Sequence, residues 1–408
     1  MVVLSHPTGN AFVRAALRAL HAAGSLHLFY TALAMPHERA LRWLPLALRR
    51  QLLRRHFGEI PPERVRTHPW REASRLGASV LHLDRLTRPP AWASVDEVFA
   101  EFDRHVARHI TLRQDGARVS AVYCYEDAAE RTLQAGRVRG LRCVYELPIA
   151  HWRTTQRLLH EEAERLPDWR PTIQGLDDRP EKLARKDREL ELADTVVVPS
   201  RFVLDSLPAH VRATKRCVVA SFGSPLPPQA STEPVRRDGR LRVLFAGAMT
   251  QRKGLADLFA AMRLLDRSDV ELVVMGSPLA PMSFYRGQCD RFTYEAPRPH
   301  HEVLALMRSC DLLALPSIVE GRALVQQEAL ACGLPLLVTP NAGGDDLVEE
   351  GETGFLVPIR SPQMLAERIA WLADHRMRLS EMSRLARQKA ADTDWARYEA
   401  QVREVVAS

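Results

Sequence analysis

Lysine and asparagine are scarce in this chain of 408 residues, so their positions carry information. Only five of its 57 basic residues are lysine: Lys182, Lys186, Lys215, Lys253 and Lys389. Asn10 and Asn341 are its only asparagines, and each lies in a turn that also contains glycine. Arginine is the default cation, so a lysine kept beside an arginine, as at Lys253, indicates a geometric requirement.

Metal-binding and redox patterns are also missing. The six cysteines have no Cys-x-x-Cys or other metal-ligand spacing, and most lie in apolar runs, so we expect neither a zinc site nor disulfides. No Gly-x-Gly-x-x-Gly follows the first predicted strand, which excludes a dinucleotide-dependent oxidoreductase. No internal repeat has a solenoid period, which excludes that architecture.

Membrane-spanning and secretory segments are not predicted either. No run of 18 apolar residues occurs. The chain starts with a predicted strand at residues 2–4 and lacks the charged region, apolar core and cleavage site of a signal peptide. We therefore expect a cytoplasmic protein.

Two glutamates eight positions apart mark the most informative stretch. The apolar run at residues 312–315 predicts a buried strand, and residues 323–331 have helical spacing that ends before Gly333. Glu320 then lies in the turn from strand to helix, and Glu328 lies on the helix. A pair placed in this way can contact two different parts of one ligand.

Two further strand-to-turn transitions suit phosphate. A strand at residues 336–338 is followed by a turn that contains Asn341, Gly343 and Gly344, and such turns expose backbone N–H groups to anions. We predict a helix after this turn, with Asp345 and Asp346 capping its N-terminus rather than binding a metal.

The third transition places a lysine at the start of a helix. A strand at residues 241–246 leads to a turn that ends in Arg252, Lys253 and Gly254, and a helical pattern follows. An ammonium group beside helix N-terminal N–H groups is suited to a diphosphate, because the helix dipole and the charge act in the same direction. The alternative is a solvated helix start.

These residues resemble the signature of the family 4 retaining glycosyltransferases, also called group 1 glycosyltransferases. The resemblance implies the GT-B fold, an α/β architecture with two Rossmann-like domains facing each other across a cleft. It implies that Glu320 contacts the donor sugar, that Glu328 binds the ribose of the nucleotide and that Lys253 binds phosphate. Gly343 and Gly344 match the loop whose backbone holds the sugar and the diphosphate, with Asn341 and Arg252 as neighbouring donor-binding candidates.

The sequence departs from the family pattern at two positions. Ala248 stands where an arginine usually shares the phosphate charge, and Arg252 is the candidate to compensate. The usual Glu-Gly-Phe-Gly turn reads Glu320, Gly321, Arg322, Ala323, which puts a guanidinium where an aromatic ring is usual. A changed donor preference would follow.

The N-terminal half contributes weaker signals. A turn after the first strand contains Gly9 and Asn10, which the resemblance assigns to the donor diphosphate from the opposite side of the cleft. The family commonly has a histidine after a later strand, close to the anomeric carbon. Glu146 occupies that position by register and His151 follows five residues later, so the sequence leaves both as catalytic candidates.

Composition and linker signals predict two large domains. The hydrophobic content of 46% is ample for two cores, and a Ser/Pro-rich stretch at residues 224–234 is the best linker candidate. We predict an acceptor-side Rossmann-like domain at residues 1–222, a linker at residues 223–238 and a nucleotide-sugar domain at residues 239–375. Helices at residues 376–408 should return to the N-terminal domain.

Positive charge concentrates near the N-terminus. Residues 1–57 contain eight arginines and one glutamate, and residues 38–57 interleave arginines with leucine, tryptophan and phenylalanine. This pattern resembles an interfacial membrane helix broken at Pro45, but it also fits an ordinary helix of the N-terminal domain that packs its apolar side inward and solvates its arginines. A nucleic-acid site is not predicted, because no nucleic-acid fold motif accompanies the charge.

We therefore predict a retaining, metal-independent glycosyltransferase without a cofactor. It would move a sugar from a nucleoside-diphosphate sugar to a glycan or lipid-linked acceptor hydroxyl, in cell-surface polysaccharide or glycolipid synthesis. Three alternatives stay open: a catalytically silent GT-B binding or scaffolding subunit, a nucleotide-sugar epimerase, and a phosphorylase on the same fold.

Overall fold

Two separate parallel β-sheets organise the chain. The computed structural model describes residues 1–35, 49, 52, 53, 55–81, 83–88, 91–111, 113, 114, 117–225 and 239–407. The strands in these residues are β1 (Val2–Ser5), β2 (Leu26–Thr31), β3 (Val65–Thr67), β4 (Arg113–Gln114), β5 (Ala117–Arg118), β6 (Ala121–Tyr125), β7 (Arg142–Glu146), β8 (Thr195–Val198), β9 (Arg216–Val219), β10 (Leu241–Ala246), β11 (Val270–Met275), β12 (Thr293–Glu295), β13 (Leu312–Leu315), β14 (Leu336–Val338) and β15 (Gly354–Leu356).

The strand orders are those of two doubly wound units. The first sheet runs β3-β2-β1-β6-β7-β8-β9 and the second runs β12-β11-β10-β13-β14-β15. Neighbouring strands in both sheets are parallel, and β4 and β5 form a separate antiparallel pair. The predicted α/β class with two Rossmann-like sheets is confirmed.

Helices connect the strands, as parallel pairing requires. They are α1 (Ala11–Ala22), α2 (Trp70–Val80), α3 (Asp84–Thr87), α4 (Val95–His109), α5 (Glu130–Val138), α6 (Trp152–Arg165), α7 (Pro180–Leu192), α8 (Arg201–Ser206), α9 (Ala209–Thr214), α10 (Leu255–Leu265), α11 (Met282–Gln288), α12 (His300–Arg308), α13 (Leu324–Ala331), α14 (Pro362–Asp374), α15 (Met377–Asp392) and α16 (Trp395–Ala407). Short 3₁₀ turns occupy Pro62–Arg64, Pro167–Thr172, Gln251–Lys253 and Pro340–Ala342.

The last two helices pack on different halves of the molecule. α15 buries Met382 and Ala386 in the core of the second sheet. α16 buries Tyr398 and Val402 among residues of β1, β6 and α1, in the core of the first sheet. The chain end therefore ties the two halves together. The domain limits themselves stay predictions, and residues 226–238 of the linker lie outside the described residues.

A second tie lies beside the turn that precedes α10. Trp169, which follows α6, is buried in the second core, and its ring meets Phe284 edge-on at 5.1 Å between centroids. The buried Glu162 of α6 accepts a hydrogen bond of 2.7 Å from Nε2 of Gln251, and Gln251 N is 3.3 Å from Oγ1 of Thr172. These contacts fix the position of the Gln251–Lys253 turn from the N-terminal side.

None of the helices in the described part of the chain combines the length and apolar composition needed to span a bilayer.

Candidate functional site

Three turns meet at the carboxyl ends of β10, β13 and β14, which are neighbours in the second sheet. Ile318 N donates to Arg252 O at 2.9 Å, which joins the first two turns. Glu320 N donates to Asn341 O at 3.1 Å, which joins the second and third. In open parallel sheets, ligands bind at this edge.

Two glycines allow the turns to approach this closely. Gly254 has a φ of +76°, and a Cβ there would lie 2.0 Å from Pro316 O. Gly343 has a φ of +73°, and a Cβ there would lie 2.0 Å from Gly321 O. Any side chain would push the backbones apart, so these positions require glycine.

The centre of the site is a carboxylate held by two cations. Glu320 Oε1 is 2.5 Å from Lys253 Nζ and 3.4 Å from Arg252 Nη2. Burial raises the pKa of the Glu320 carboxyl, but Lys253 and Arg252 outweigh it and hold that pKa below its usual range. Arg252 thus lies beside Lys253, where it can share the charge that the usual arginine, replaced by Ala248, would share.

Glu328 lies apart from this cluster, on α13. Its Oε1 is 3.3 Å from Nε2 of the exposed His300, at the start of α12. Burial raises the pKa of Glu328, and His300 opposes that shift. The sequence pattern gave no signal for His300.

Two side-chain hydrogen bonds hold the Asn341–Gly344 turn in place. Asn341 Nδ2 donates to Ile318 O at 2.8 Å, and Gln326 Nε2 donates to Ala342 O at 2.8 Å. A Cβ on Gly344 would lie 2.0 Å from Gln326 Oε1. The side chain of Asn341 therefore braces the turn.

Arg322 braces the same turn. Its side chain is buried, and Nη1 donates to Gly343 O at 3.0 Å and lies 2.5 Å from Oδ1 of Asp346. The predicted helix at this point is wrong: residues 343–353 form turns, because the guanidinium engages Asp346 and the Gly343 carbonyl. Asp346 is an ion-pair partner and not a helix cap. Burial and the neighbouring Asp346 raise the pKa of Asp345.

The Gly9–Asn10 turn lies at the start of α1. Asn10 Oδ1 accepts from Val13 N at 3.1 Å and so caps α1. Gly9 N donates to Nδ1 of the buried His6 at 2.8 Å, and burial lowers the pKa of His6 to about 3, so its ring is neutral. A cavity of about 480 Å³ opens beside this turn, lined by Thr8, Gly9, Asn10, Ala11, Arg14 and Arg55.

The loop before His151 lies against the Glu320 turn. A Cβ on Gly321 would lie 1.7 Å from Pro148 O, and Ser200 Oγ donates to Gly321 O at 2.7 Å. His151 caps α6, and its Nε2 is 3.5 Å from Oδ1 of Asp187. Burial lowers the pKa of His151 to about 4, against the opposing effect of Asp187.

Glu146 is engaged elsewhere, inside the first core. Its carboxylate accepts hydrogen bonds from Tyr123 Oη at 2.6 Å and from Tyr398 Oη of α16 at 3.1 Å. Burial raises the pKa of Glu146 to about 7, although the tyrosine hydrogen bonds lower it. The loop that contacts the Glu320 turn joins Glu146 to His151, and Glu146 itself is engaged inside the first core.

Glu146 should make stability depend on pH. Its pKa of about 7 exceeds the ordinary 4.5, so the folded state holds a proton that the unfolded chain releases between these values. This contribution is present below the unfolded pKa and is lost as pH rises through the folded pKa. The Glu146→Gln side chain stays neutral at both pH values, so this variant should avoid the loss of stability, which is about 3 kcal/mol in wild type.

Urea unfolding near pH 5 and near pH 8 measures this difference. The free energy of unfolding of Glu146→Gln relative to wild type should increase at the higher pH. Glu367→Gln changes an exposed carboxylate of α14 and is the matched control. Equal pH dependence in wild type and Glu146→Gln would contradict the prediction.

No group of three or more histidine, cysteine, aspartate or glutamate side chains among the described residues could hold a metal ion.

This chain is similar in sequence and in fold to known glycosyltransferases. The family model described as "Glycosyl transferases group 1" matches residues 229–389. The chain is 29% identical over 289 residues to D-inositol 3-phosphate glycosyltransferase of Corynebacterium glutamicum (strain R), covering 64% of this chain and 67% of that one. Across three such relatives the matched region spans 59% to 67% of their length.

Solved structures match over the whole chain. Sucrose-phosphate synthase from Thermosynechococcus elongatus has a TM-score of 0.68 at 17% identity, covering 100% of this chain and 98% of that one. Anabaena Alr3699/HepE, in complex with UDP-glucose, has a TM-score of 0.61 at 15% identity, covering 100% and 99%. At these identities the likeness concerns the fold, and it confirms the predicted GT-B arrangement.

Proposed function

Because this chain belongs to the group 1 glycosyltransferases and has the GT-B fold, we propose that it transfers a sugar from a nucleoside-diphosphate sugar to an acceptor hydroxyl. Retention of the anomeric configuration and independence from metal are part of the proposal. The observation that carries it is the Glu320 carboxylate, clamped by Lys253 and Arg252 where three turns meet.

The diphosphate would replace Glu320 as the partner of the two cations. Cleavage of the sugar–phosphate bond leaves negative charge on the diphosphate, and preorganised cations and N–H groups stabilise such charge. Lys253, Arg252 and the backbone of the Gly343–Gly344 turn would supply that stabilisation. Gly9 and Asn10 would approach from the N-terminal half.

Glu320, released from the cations, would orient the donor sugar. The acceptor hydroxyl would attack on the face of the leaving group, and the diphosphate would take the acceptor's proton. Glu328 would bind the ribose, and His151 would lie next to the reacting sugar. A double displacement of the glycosidase kind would need two carboxylates about 5 Å apart across the sugar, whereas Glu320 and Glu328 have different partners.

The acceptor is proposed to be a glycan or a lipid-linked sugar in cell-surface polysaccharide or glycolipid synthesis, reached from the cytoplasmic face of the membrane. The relative from Corynebacterium glutamicum is named for a phosphorylated acceptor, which supports an acceptor of small, polar chemistry as well. The basic stretch at residues 38–57 lies mostly outside the described residues, so its membrane role stays a prediction.

A nucleotide panel tests the proposal. UDP, GDP and ADP are added separately to the purified protein, and thermal unfolding is followed for each. One nucleotide should raise the transition temperature, and the matching nucleotide sugar should release that nucleotide only when an acceptor is present. Conversion of the nucleotide sugar into a different nucleotide sugar without an acceptor would favour an epimerase, and turnover that requires inorganic phosphate would favour a phosphorylase. No stabilisation at millimolar concentration would leave the scaffolding subunit as the better explanation.

A further inference from the structure

A buried polar cluster joins the two halves of the chain beside the Gln251–Lys253 turn. Its members come from three segments that are far apart in sequence: Glu162 and Arg165 of α6, Gln251 and Asp257 around the start of α10, and Arg360 between β15 and α14. Glu162, Gln251 and Asp257 are each at most 2% exposed. We name these five residues the α6–α10 cluster.

Gln251 is the centre of the α6–α10 cluster. Its Nε2 donates to Oε2 of Glu162 and to Oδ2 of Asp257, both at 2.7 Å, and its Oε1 accepts from Ala256 N at 2.9 Å. The amide thus uses both of its protons and its oxygen, which leaves the side chain one orientation. The two cations of the candidate site follow Gln251 directly in the chain, so this orientation also limits where their backbone can lie.

Two guanidinium groups balance the charge of the cluster. Nη2 of Arg165 lies 2.7 Å from Oε2 of Glu162 and 2.9 Å from Oδ2 of Asp257. Nε of Arg360 also pairs with Glu162. Each of the two buried carboxylates therefore has a cationic partner, as buried charges require.

The backbone at Arg360 adopts a costly conformation. Its φ is +61°, in the left-handed region that residues other than glycine rarely occupy. Such a conformation persists only where the surrounding contacts hold it, and Arg360 is held by Glu162 and by Glu161, 2.8 Å from its Nη2. A residue kept in this conformation while it contacts Glu162 indicates that the contact is under functional constraint.

Stability alone does not account for the α6–α10 cluster. A buried ion pair adds little to the free energy of unfolding, because desolvation offsets the attraction, and apolar residues of similar volume are often as stabilising. A fully satisfied polar network instead defines a single geometry, since every partner must be in place. Here that geometry is the position of the turn beside Glu320, and α6 of the N-terminal half helps to define it.

We propose that Glu162 is a positioning residue for the diphosphate site, because through Gln251 it sets the turn that carries Arg252 and Lys253. Donor affinity would then depend on this contact between the two halves, although Glu162 itself does not touch the donor. A displacement of about 1 Å is enough to weaken a preorganised interaction many-fold. The inference rests on the proposed function, since it assigns a role within the same site.

A double-mutant cycle on Glu162 and Gln251 tests the proposal. Calorimetric titration of wild type with UDP, GDP and ADP identifies the nucleotide that is then used for the variants. Glu162→Ala and Gln251→Ala should each weaken nucleotide binding by about tenfold. The double variant should also lose about tenfold and no more, because Glu162 acts through Gln251.

Glu162→Gln separates positioning from a loss of stability. Glutamine can still accept the hydrogen bond from Gln251 Nε2, so this variant should bind the nucleotide within about threefold of wild type. Urea unfolding gives the stability of each variant, and the titrations are made where all of them are folded. Gln251→Ala leaves every charge in place, so it tests the same contact if Glu162→Ala does not fold.

A second long-range ion pair provides the control. Nε of Arg18 on α1 lies 2.8 Å from Oε1 of Glu399 on α16, between helices that pack on the first sheet. Glu399→Ala should leave nucleotide affinity unchanged. Unchanged affinity in folded Glu162→Ala or Gln251→Ala would overturn the proposal, and so would losses that add in the double variant.

The titration of wild type separates this inference from the proposed function. Nucleotide binding by wild type, with equal affinity in the variants of the α6–α10 cluster, would reject the positioning role and keep the proposed function. Wild type that binds none of the three nucleotides would reject the proposed function, and the positioning role with it.

Discussion

Lys253→Ala should lower kcat/KM for the donor by about 100-fold and abolish thermal stabilisation by the nucleoside diphosphate. The ammonium group lies 2.5 Å from Glu320, at the meeting point of the three turns. Without this ammonium group, Arg252 is the one remaining cation of the pair, and it neutralises the Glu320 carboxylate less well. The cluster of Lys253, Arg252 and Glu320 then loses its net positive charge, which weakens its attraction for a diphosphate in both the ground state and the transition state.

Lys389→Ala is the matched control for this change. Lys389 is also a lysine paired with a glutamate, at 2.7 Å from Glu349, but it lies on α15 away from the three turns. Its substitution should leave donor kinetics and nucleotide stabilisation unchanged. Nucleotide stabilisation of Lys253→Ala equal to that of wild type would contradict the assignment of Lys253 to the diphosphate.

Glu320→Gln should separate binding from transfer. Glutamine keeps the shape of the side chain but removes the charge that Lys253 and Arg252 neutralise in the free protein. Both cations become available to phosphate, so nucleoside diphosphate affinity should stay unchanged or increase. Sugar transfer should fall by on the order of 100- to 1,000-fold, because the group that orients the donor sugar is changed.

Nucleotide affinity should fall in Lys253→Ala but not in Glu320→Gln, so measuring both variants separates the role of the cation from that of the carboxylate. Calorimetric titration with the nucleotide gives the affinity, and acceptor-dependent nucleotide release gives the rate. Glu349→Gln, at the partner of Lys389, is the control and should change neither quantity. Loss of nucleotide affinity in Glu320→Gln, as large as in Lys253→Ala, would show that Glu320 only stabilises the turns.

The residues that gather at one edge of the second sheet could be predicted because each follows a buried strand. β10, β13 and β14 are short apolar runs, and the residues that follow them in the chain must lie at one edge of a parallel sheet. The positions of Lys253 and Glu320 after these strands therefore predict that both lie at the same edge of the sheet. The scarcity of lysine singled out Lys253 among many cations.

Other features depended on partners far away in sequence. Glu146 follows the register expected of a catalytic group, yet its carboxylate meets Tyr398, which is 252 residues later in the chain. The turn at Asp346 looked like a helix start because acidic residues favour that position, but the buried Arg322 engages Asp346 instead. Local pattern carries no information about such partners.

By itself, the sequence determined the two-sheet α/β class and the chemical types that gather at the edge of the second sheet, because apolar periodicity and turn residues act over a few positions. Tertiary structure alone decided three further points. It paired Glu320 with Lys253 and Arg252, it set Glu146 inside the core, and it placed the buried Arg322 against Asp346. Each of these contacts joins residues that are far apart in sequence, and only the packing of the whole chain brings such residues together.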